Sequence, residues 1–150
     1  MIQSQIGDWR AVLPFAYDCC VKDRLNAVTE RIIGAAIAVH RELGPGMLES
    51  AYEACLMFEL LSRGLSVERQ VGLPIVYRGQ TLSCGYRIDL LVDDEVIVEL
   101  KCVEKIERVH AAQLLSHLRL SKRTVGLLIN FNVRWLALEG VQRVVNGFPD

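Results

Sequence analysis

Hydrophobic residues between positions 24 and 43 fall on nearly every side of a helix, so we predict a mostly buried helix there. Asp23 precedes this segment and is the expected N-cap. The helix is expected to end at the Gly-Pro-Gly sequence of residues 44–46, because glycine suits a left-handed C-cap and proline cannot continue a helix. A second helix is predicted over residues 47–63, and Gly64 ends it.

After Gly64 the pattern changes to alternating hydrophobic and polar residues, which is typical of β-strands. The predicted strands are residues 65–82 (one or two strands), 83–92, 95–103 and 124–133, with an amphipathic helix at 108–121 and a candidate strand within 135–147. Residues 124–133 are apolar almost throughout, as expected of a strand covered on both faces. The order of elements predicts an α/β fold, more narrowly an α+β mixed sheet with a helical crossover.

The two strands around residues 93–95 form an apolar hairpin that nevertheless carries Asp89, Glu99 and Lys101. If residues 93–95 are the turn, Asp89 faces Glu99 across the ladder with Cβ atoms about 4.5–5.5 Å apart, and Lys101 projects from the same face. A two-residue turn would instead place Asp89 opposite Val98 and require a bulge. The opposite face is expected to point into the core through Ile88, Leu90, Val98 and Leu100.

Two facing carboxylates repel each other in a sheet, and a bound Mg²⁺ or Mn²⁺ would remove that cost. Lys101 would then lie beside the metal-bound water and help to orient or deprotonate it. The alternative is an ordinary ion pair between Lys101 and Glu99 at an exposed strand end, with Asp89 in water. The hairpin by itself leaves both interpretations open.

Composition narrows the class of protein. A chain of 150 residues that is 51% hydrophobic, with a net charge of −1, predicts one ordered domain rather than disorder. No apolar run reaches the roughly 20 residues of a membrane-spanning helix, and residues 1–20 do not resemble a signal peptide. The five cysteines lack metal-binding spacing, which favours reduced thiols and a cytoplasmic location. We therefore expect an N-terminal arm at 1–22 and a single domain at 23–150, with no membrane partner.

Positive charge is concentrated near the C-terminus. Residues 108–149 contain six lysines and arginines but one acidic residue, Glu139. This surface would suit a phosphate backbone, although a solvated basic face would have the same composition.

The segment GMLESAY, residues 46–52, fits the pattern G-x-x-E-x-x-Y. Together with GYRIDLLV, VIVELK and QLLSHLRL downstream, it makes residues 24–147 resemble the GxxExxY protein family of the PD-(D/E)XK nuclease superfamily. The resemblance implies a restriction-endonuclease-like core of order α-β-β-β-α-β, here preceded by an extra N-terminal helix. It also implies a site for Mg²⁺ or Mn²⁺.

The resemblance also implies roles for individual residues. Asp89 and Glu99 would be metal ligands, with the carbonyl of Leu100 as a further ligand. Lys101 is expected to be catalytic, Glu49 to support the metal through water, and Gln113 to lie behind the site.

Four further residues are expected to contact substrate: Tyr52, Arg41, His117 and Arg119. Tyr52 would equally serve as a half-buried aromatic residue, and Arg41 would equally pair with Glu42 or Glu49. His117 occupies a position that is more often aromatic in the family, and simple solvation is its alternative role.

The sequence thus predicts a Mg²⁺-dependent nuclease that hydrolyses phosphodiester bonds of DNA or RNA. The alternative is a catalytically inactive nucleic-acid-binding or protein-interaction module on the same fold, and a small-molecule phosphoesterase is a third option. A homodimer is expected only by analogy, since dimerisation would help a small domain to span a duplex.

Overall fold

The computed structural model of the protein describes the backbone of residues 9–147 and the side chains of residues 19–147. The elements in chain order are α1 (Trp9–Leu43), α2 (Glu49–Ser62), β1 (Val67–Tyr77), β2 (Gln80–Val92), β3 (Val96–Lys101), α3 (Arg108–Ser121), β4 (Val125–Asn130) and β5 (Val141–Val145). A π-helix, Leu136–Gly140, separates β4 from β5. The run from α2 to β4 has the order α-β-β-β-α-β, so the predicted mixed α+β fold with an additional N-terminal helix is confirmed.

The first helix is longer than its hydrophobic pattern predicts. The chain is helical from Trp9 onward, so a start near residue 24 with Asp23 as N-cap is wrong. Asp23 lies inside the helix, where its carboxylate accepts a contact of 3.8 Å from the Cys19 thiol. Val21 packs against the buried core, which extends the helix beyond the predicted start. The predicted arm lies partly outside the described residues, and the division at residue 22 stays a prediction.

The five strands form one sheet in the order β1-β2-β3-β4-β5. Neighbouring strands are antiparallel except β3 and β4, which are parallel and joined through α3. A parallel pair needs such a long crossover, because a short turn cannot return the chain to the same end of the sheet. β4 is buried along its whole length, as its continuous apolar run predicts.

The β1–β2 hairpin extends beyond the rest of the sheet. β1 pairs with β2 along nearly its whole length, whereas β3 pairs only with Leu90, Leu91 and Val92 of β2. The far end, around the turn at Arg78 and Gly79, is exposed on both strands. The helices therefore leave the far end of this hairpin uncovered.

A hydrophobic cluster covers each face of the sheet. One cluster joins α1 and α2 to alternate residues of the central strands, among them Leu90, Val98 and Leu100. The other joins α3 to the intervening residues, including Leu91 and Ile97. The helix α3 packs very close to β4, since a Cβ added to Gly126 would lie 2.8 Å from Leu114 Cδ1. This close packing decides which side chains of α3 reach the sheet.

Candidate active site on the open end of the central hairpin

The hairpin has the register that a three-residue turn predicts. Val92 pairs with Val96 and Leu90 pairs with Val98, and residues 93–95 connect them. Asp93 and Asp94 both have positive φ values, 51° and 56°, as a tight turn requires. Regular pairing stops at Leu90 and Val98, so Asp89 and Glu99 come next on the two strands, at the open end of the hairpin.

Asp89 replaces a ladder hydrogen bond with a side-chain hydrogen bond. Its Oδ2 accepts the backbone N–H of Leu100 at 2.9 Å. On the other side, Gln70 of β1 has a left-handed φ of 53° at the position opposite Asp89. Both strands are thus irregular at this level of the sheet, which frees the Asp89 side chain from the regular alternation of β2.

One core prediction for this hairpin is wrong. Leu90, Val98 and Leu100 share the cluster under α1 and α2, but Ile88 belongs to the α3 cluster together with Leu91. Two residues three positions apart lie on opposite faces of a regular strand. The irregularity at Asp89 is the physical reason, because it reverses the alternation between Ile88 and Leu91.

Asp89 lies in an environment that disfavours its charge. Burial raises its pKa from 3.8 to about 6; the hydrogen bond from Leu100 lowers the pKa, and the carboxylates of Glu99, Glu53 and Glu49 raise it again. These four acids come from α2, β2 and β3. The pKa of the Cys102 thiol is also raised, mainly by burial and to a lesser extent by the negative charge of Glu49. The open end of the hairpin is therefore a concentration of negative charge.

Glu53 is a member of this cluster to which the sequence analysis gave no role. It is 5% exposed, and its carboxylate accepts hydrogen bonds from Arg69 Nε and from Gln70 Nε2, the latter at 3.0 and 3.1 Å. Glu53 follows Glu49 by four residues, and residues with this spacing lie on the same face of a helix. This spacing was the feature of the sequence that could have assigned Glu53 to the acidic cluster. The arginine compensates part of the buried charge, so Glu53 also fixes β1 to α2 beside Asp89.

Glu99 is buried, 4% exposed, and contacts His117 of α3. The His117 Nδ1 lies in hydrogen-bonding contact with Glu99 Oε1, and the Tyr86 ring packs edge-on against the imidazole at 5.7 Å between ring centroids. His117 was expected to contact substrate or to be solvated, and in the structure it is mostly buried on a site carboxylate. The histidine thus holds Glu99 from the α3 side of the sheet.

Lys101 is two residues beyond Glu99 and half-buried. Among the side chains of residues 19–147 its ammonium has no hydrogen-bond or ion-pair partner, so the alternative pairing with Glu99 does not form. Leu100 pairs with Ile129 in the parallel ladder and its side chain is fully buried. The Lys101 ammonium, two residues beyond Glu99 on the same strand and without a partner among the described side chains, is available for a ligand.

The structure places Tyr52 away from its expected role. Tyr52 is fully buried and stacks on Phe131 at 4.4 Å between centroids. Its hydroxyl donates to the Gly44 carbonyl and accepts the Met47 N–H at 3.2 Å. This placement corrects the expected phosphate contact, because the hydroxyl is occupied in holding the loop before Glu49.

Arg41 is exposed near the end of α1. It forms no ion pair with Glu42 or Glu49. Its guanidinium thus stays available at the surface.

Gln113, His117 and Arg119 are brought together on α3. They share with Tyr86 a surface depression of about 330 Å³ on the α3 side of the sheet. Gln113 and Arg119 are exposed there, whereas His117 reaches inward to Glu99. Of the ten residues predicted for the site, Glu49 and Glu99 therefore lie near enough to Asp89 to raise its pKa. His117 connects α3 to this group through its contact with Glu99.

The residues fit a hard divalent cation in their chemistry, although they are not arranged around one. The candidate ligands are all oxygens. Burial is the largest cause of the raised pKa of Asp89, and the carboxylates that raise the pKa further supply negative charge that a divalent cation would compensate. No three His, Cys, Asp or Glu side chains within the described part of the chain stand close enough together to hold a metal. If Asp89 and Glu99 bound an ion together, Glu99 would use the oxygen that does not contact His117. The five cysteines form no disulfide.

No helix of the described residues is both long and apolar enough to span a membrane.

No curated protein and no solved structure matches the chain. A family model does match: that of the PD-(D/E)XK nuclease superfamily, over residues 26–144. The narrower assignment to the GxxExxY family stays a prediction. The match covers the whole α-β-β-β-α-β core and the acidic open end of its hairpin, and the chain belongs to the PD-(D/E)XK nuclease superfamily.

Proposed function

We propose that the protein is a Mg²⁺-dependent nuclease that hydrolyses phosphodiester bonds, with Mn²⁺ as an alternative ion. The observation that carries this proposal is the environment of Asp89. Its pKa is raised to about 6 by burial and by neighbouring carboxylates, while Lys101, on the adjacent strand, has no partner among the described side chains. Perturbed carboxylates of this kind are frequent at catalytic sites.

Asp89 and Glu99 are the residues that would hold the ion, with the Leu100 carbonyl as a third oxygen. A bound divalent cation supplies electrostatic stabilisation of the phosphate and a more acidic water. Glu49, at the start of α2, would accept a hydrogen bond from a water of the ion. His117 would fix the remaining Glu99 oxygen and so limit the orientations of that carboxylate.

Lys101 has the role closest to the reaction. Its ammonium would donate a hydrogen bond to the attacking water, orienting the oxygen toward phosphorus. The same positive charge would stabilise negative charge that develops on the non-bridging phosphate oxygens. Because no described side chain competes for the ammonium, these interactions would form without first breaking an ion pair.

The test combines ion binding with cleavage. Thermal unfolding is measured with and without about 10 mM Mg²⁺ or Mn²⁺. The ion should raise the melting temperature of the wild type and leave that of Asp89→Asn unchanged. Cleavage of supercoiled, single-stranded and branched DNA, and of RNA, should be lost in the same variant. Glu104→Gln is the matched control, since it removes an exposed carboxylate from the loop after β3. Cleavage by Asp89→Asn at the wild-type rate would exclude the proposed site.

An inactive nucleic-acid-binding module is the second candidate. The observation that favours it is the contact between Glu99 and His117, which occupies one of the two expected ligands. This alternative predicts that the wild type binds nucleic acid but does not cleave it, whichever divalent ion is added. It also predicts that Mg²⁺ leaves the melting temperature unchanged.

A further inference from the structure

A concave groove lies between the C-terminal end of α1 and the π-helix that follows β4. Its volume is about 380 Å³, within the range of about 300–1,000 Å³ typical of ligand sites. The residues relevant to recognition are Arg41, Gly44 and Pro45 on one side and Arg134 and Trp135 on the other. None of them takes part in the proposed metal chemistry, and only Arg41 is among the residues expected from the sequence to contact substrate.

The groove combines an accessible aromatic face with positive charge. Trp135 is 56% exposed, and the Arg134 guanidinium lies over its ring at 5.4 Å from the centroid. Neither Arg41 nor Arg134 forms an ion pair with a carboxylate of residues 19–147, and no acidic side chain of those residues lines the groove. An indole beside two uncompensated guanidinium groups has the chemistry to recognise a planar ring attached to a phosphate.

Backbone contacts connect the groove to the candidate active site. The Phe131 N–H donates to the Lys101 carbonyl at 2.9 Å, so the segment leading to Trp135 begins directly at the end of β3. The other wall is attached as well, because His40 Nε2 lies 2.9 Å from the Val133 carbonyl oxygen. Both walls of the groove are thus attached to the segment that follows β4, and that segment is hydrogen-bonded to the backbone of Lys101 at the end of β3.

We propose that this groove binds single-stranded nucleic acid and delivers it to the site. This inference deepens the proposed nuclease function and rests on it. Trp135 stacks on an unpaired base, while Arg41 and Arg134 bind the flanking phosphates. Inside a duplex both faces of each base are covered by neighbouring bases, so an indole in a concave groove reaches a base only when the base has left the stack.

The chain provides an unusually close control for the aromatic residue. Tyr77, at the tip of the β1–β2 hairpin, is 57% exposed and has the Arg78 guanidinium at 5.3 Å from its ring centroid. Exposure and cation–aromatic geometry are therefore matched, but Tyr77 is not part of the groove. A general loss of aromatic surface would affect both positions, whereas a specific site would respond only to Trp135.

Fluorescence anisotropy with labelled oligonucleotides in EDTA measures binding without cleavage. We expect wild-type protein to bind a single-stranded oligonucleotide more tightly than a duplex of equal length. Trp135→Ala should weaken single-strand binding about tenfold and Arg134→Ala and Arg41→Ala each several-fold, while Tyr77→Ala leaves it unchanged. Parallel DNA and RNA oligonucleotides identify which sugar is preferred. Circular dichroism verifies folding, and Trp135→Phe, which keeps a ring, should retain most of the affinity.

Equal effects of Trp135→Ala and Tyr77→Ala, a preference for duplex, or no binding by the wild type would each overturn the inference. Failure of the nuclease proposal has a different signature. In that case single-strand binding in EDTA persists and depends on Trp135, but no divalent ion supports cleavage.

Discussion

The β2–β3 hairpin has two halves that differ in composition and in pairing. Near the turn, residues 90–92 and 96–98 are paired and buried on both faces of the sheet. At the open end, Asp89 and Glu99 follow directly, regular pairing stops, and Lys101 stands half-exposed. The apolar half thus provides the stability that allows the charged half to hold unfavourable carboxylates.

The largest effect on stability is expected in the apolar half. Ile97→Ala removes a fully buried side chain from the cluster under α3, so the free energy of unfolding should fall by about 2–5 kcal/mol. Denaturant titration measures the loss, with Val145→Ala on an exposed part of β5 as the control. A loss below about 1 kcal/mol, less than such cavities normally cause, would show that this half is not the stabilising one.

The largest effect on activity is expected in the charged half. Lys101→Ala should lower the cleavage rate by about 10²–10³-fold, because one electrostatic donor to the reacting phosphate is removed. The free energy of unfolding should change by less than about 0.5 kcal/mol, since the ammonium has no described partner. Single-turnover cleavage and denaturant titration measure the two quantities, and Lys105→Ala serves as the exposed-lysine control. Equal losses of activity in both variants would contradict the assigned role.

A smaller effect of opposite sign is expected at Asp89. Its folded-state pKa of about 6 exceeds the ordinary 3.8, so the folded protein binds the proton more tightly. The contribution of Asp89 to stability is therefore fully present below about pH 4 and is lost as pH rises through about 6. Asp89→Asn should then stabilise the ion-free protein by about 1–2 kcal/mol at pH 8, after allowance for partial exposure, and change little at pH 4.

Denaturant titration in EDTA at the two pH values measures this change. The amide oxygen that the substitution introduces would still accept the Leu100 N–H, so the experiment isolates the charge. A variant that is less stable than wild type at pH 8 would mean that the carboxylate is compensated in the folded protein. In the same way, Mg²⁺ affinity of the wild type should decline below pH 6 as Asp89 takes up its proton.

The smallest effect is expected at the turn. Arg123 binds the Asp94 carboxylate and donates to the Asp94 carbonyl at 3.0 Å, but the aspartate is exposed. Arg123→Ala should lower the free energy of unfolding by no more than about 1 kcal/mol, and 1 M NaCl should reduce the difference, since salt at about that concentration screens exposed pairs. A loss as large as that of Ile97→Ala would show that the turn, rather than the core, holds the two halves in register.

The sequence was sufficient for the features that depend on local rules. A turn at residues 93–95 sets the register of Val92 and Val96, and this register brings Asp89 and Glu99 to one end of the hairpin. The helix Arg108–Ser121 and the fully buried strand β4 follow directly from hydrophobic periodicity. Such features require only the spacing of neighbouring residues.

Features that depend on how elements dock were not predictable. The contact of His117 with Glu99 exists because α3 packs closely over Gly126, a property that helix periodicity does not contain. The Glu53–Arg69 pair requires α2 to lie beside β1, and the reversed side of Ile88 requires an irregular strand. Tyr52 likewise became a buried support of the loop because Phe131, far along the chain, stacks on it.

The tip of the long β1–β2 hairpin is a suitable site for attaching a tag or a label to this protein. Its tip at Arg78 and Gly79 has no third strand of the described sheet beside it, and both residues have positive φ values, 49° and 77°. Exposed turns of this kind accept inserted sequence with little loss of folding. A peptide tag or a fluorophore attached there would report on the protein, or immobilise it, without touching the helices that cover the sheet.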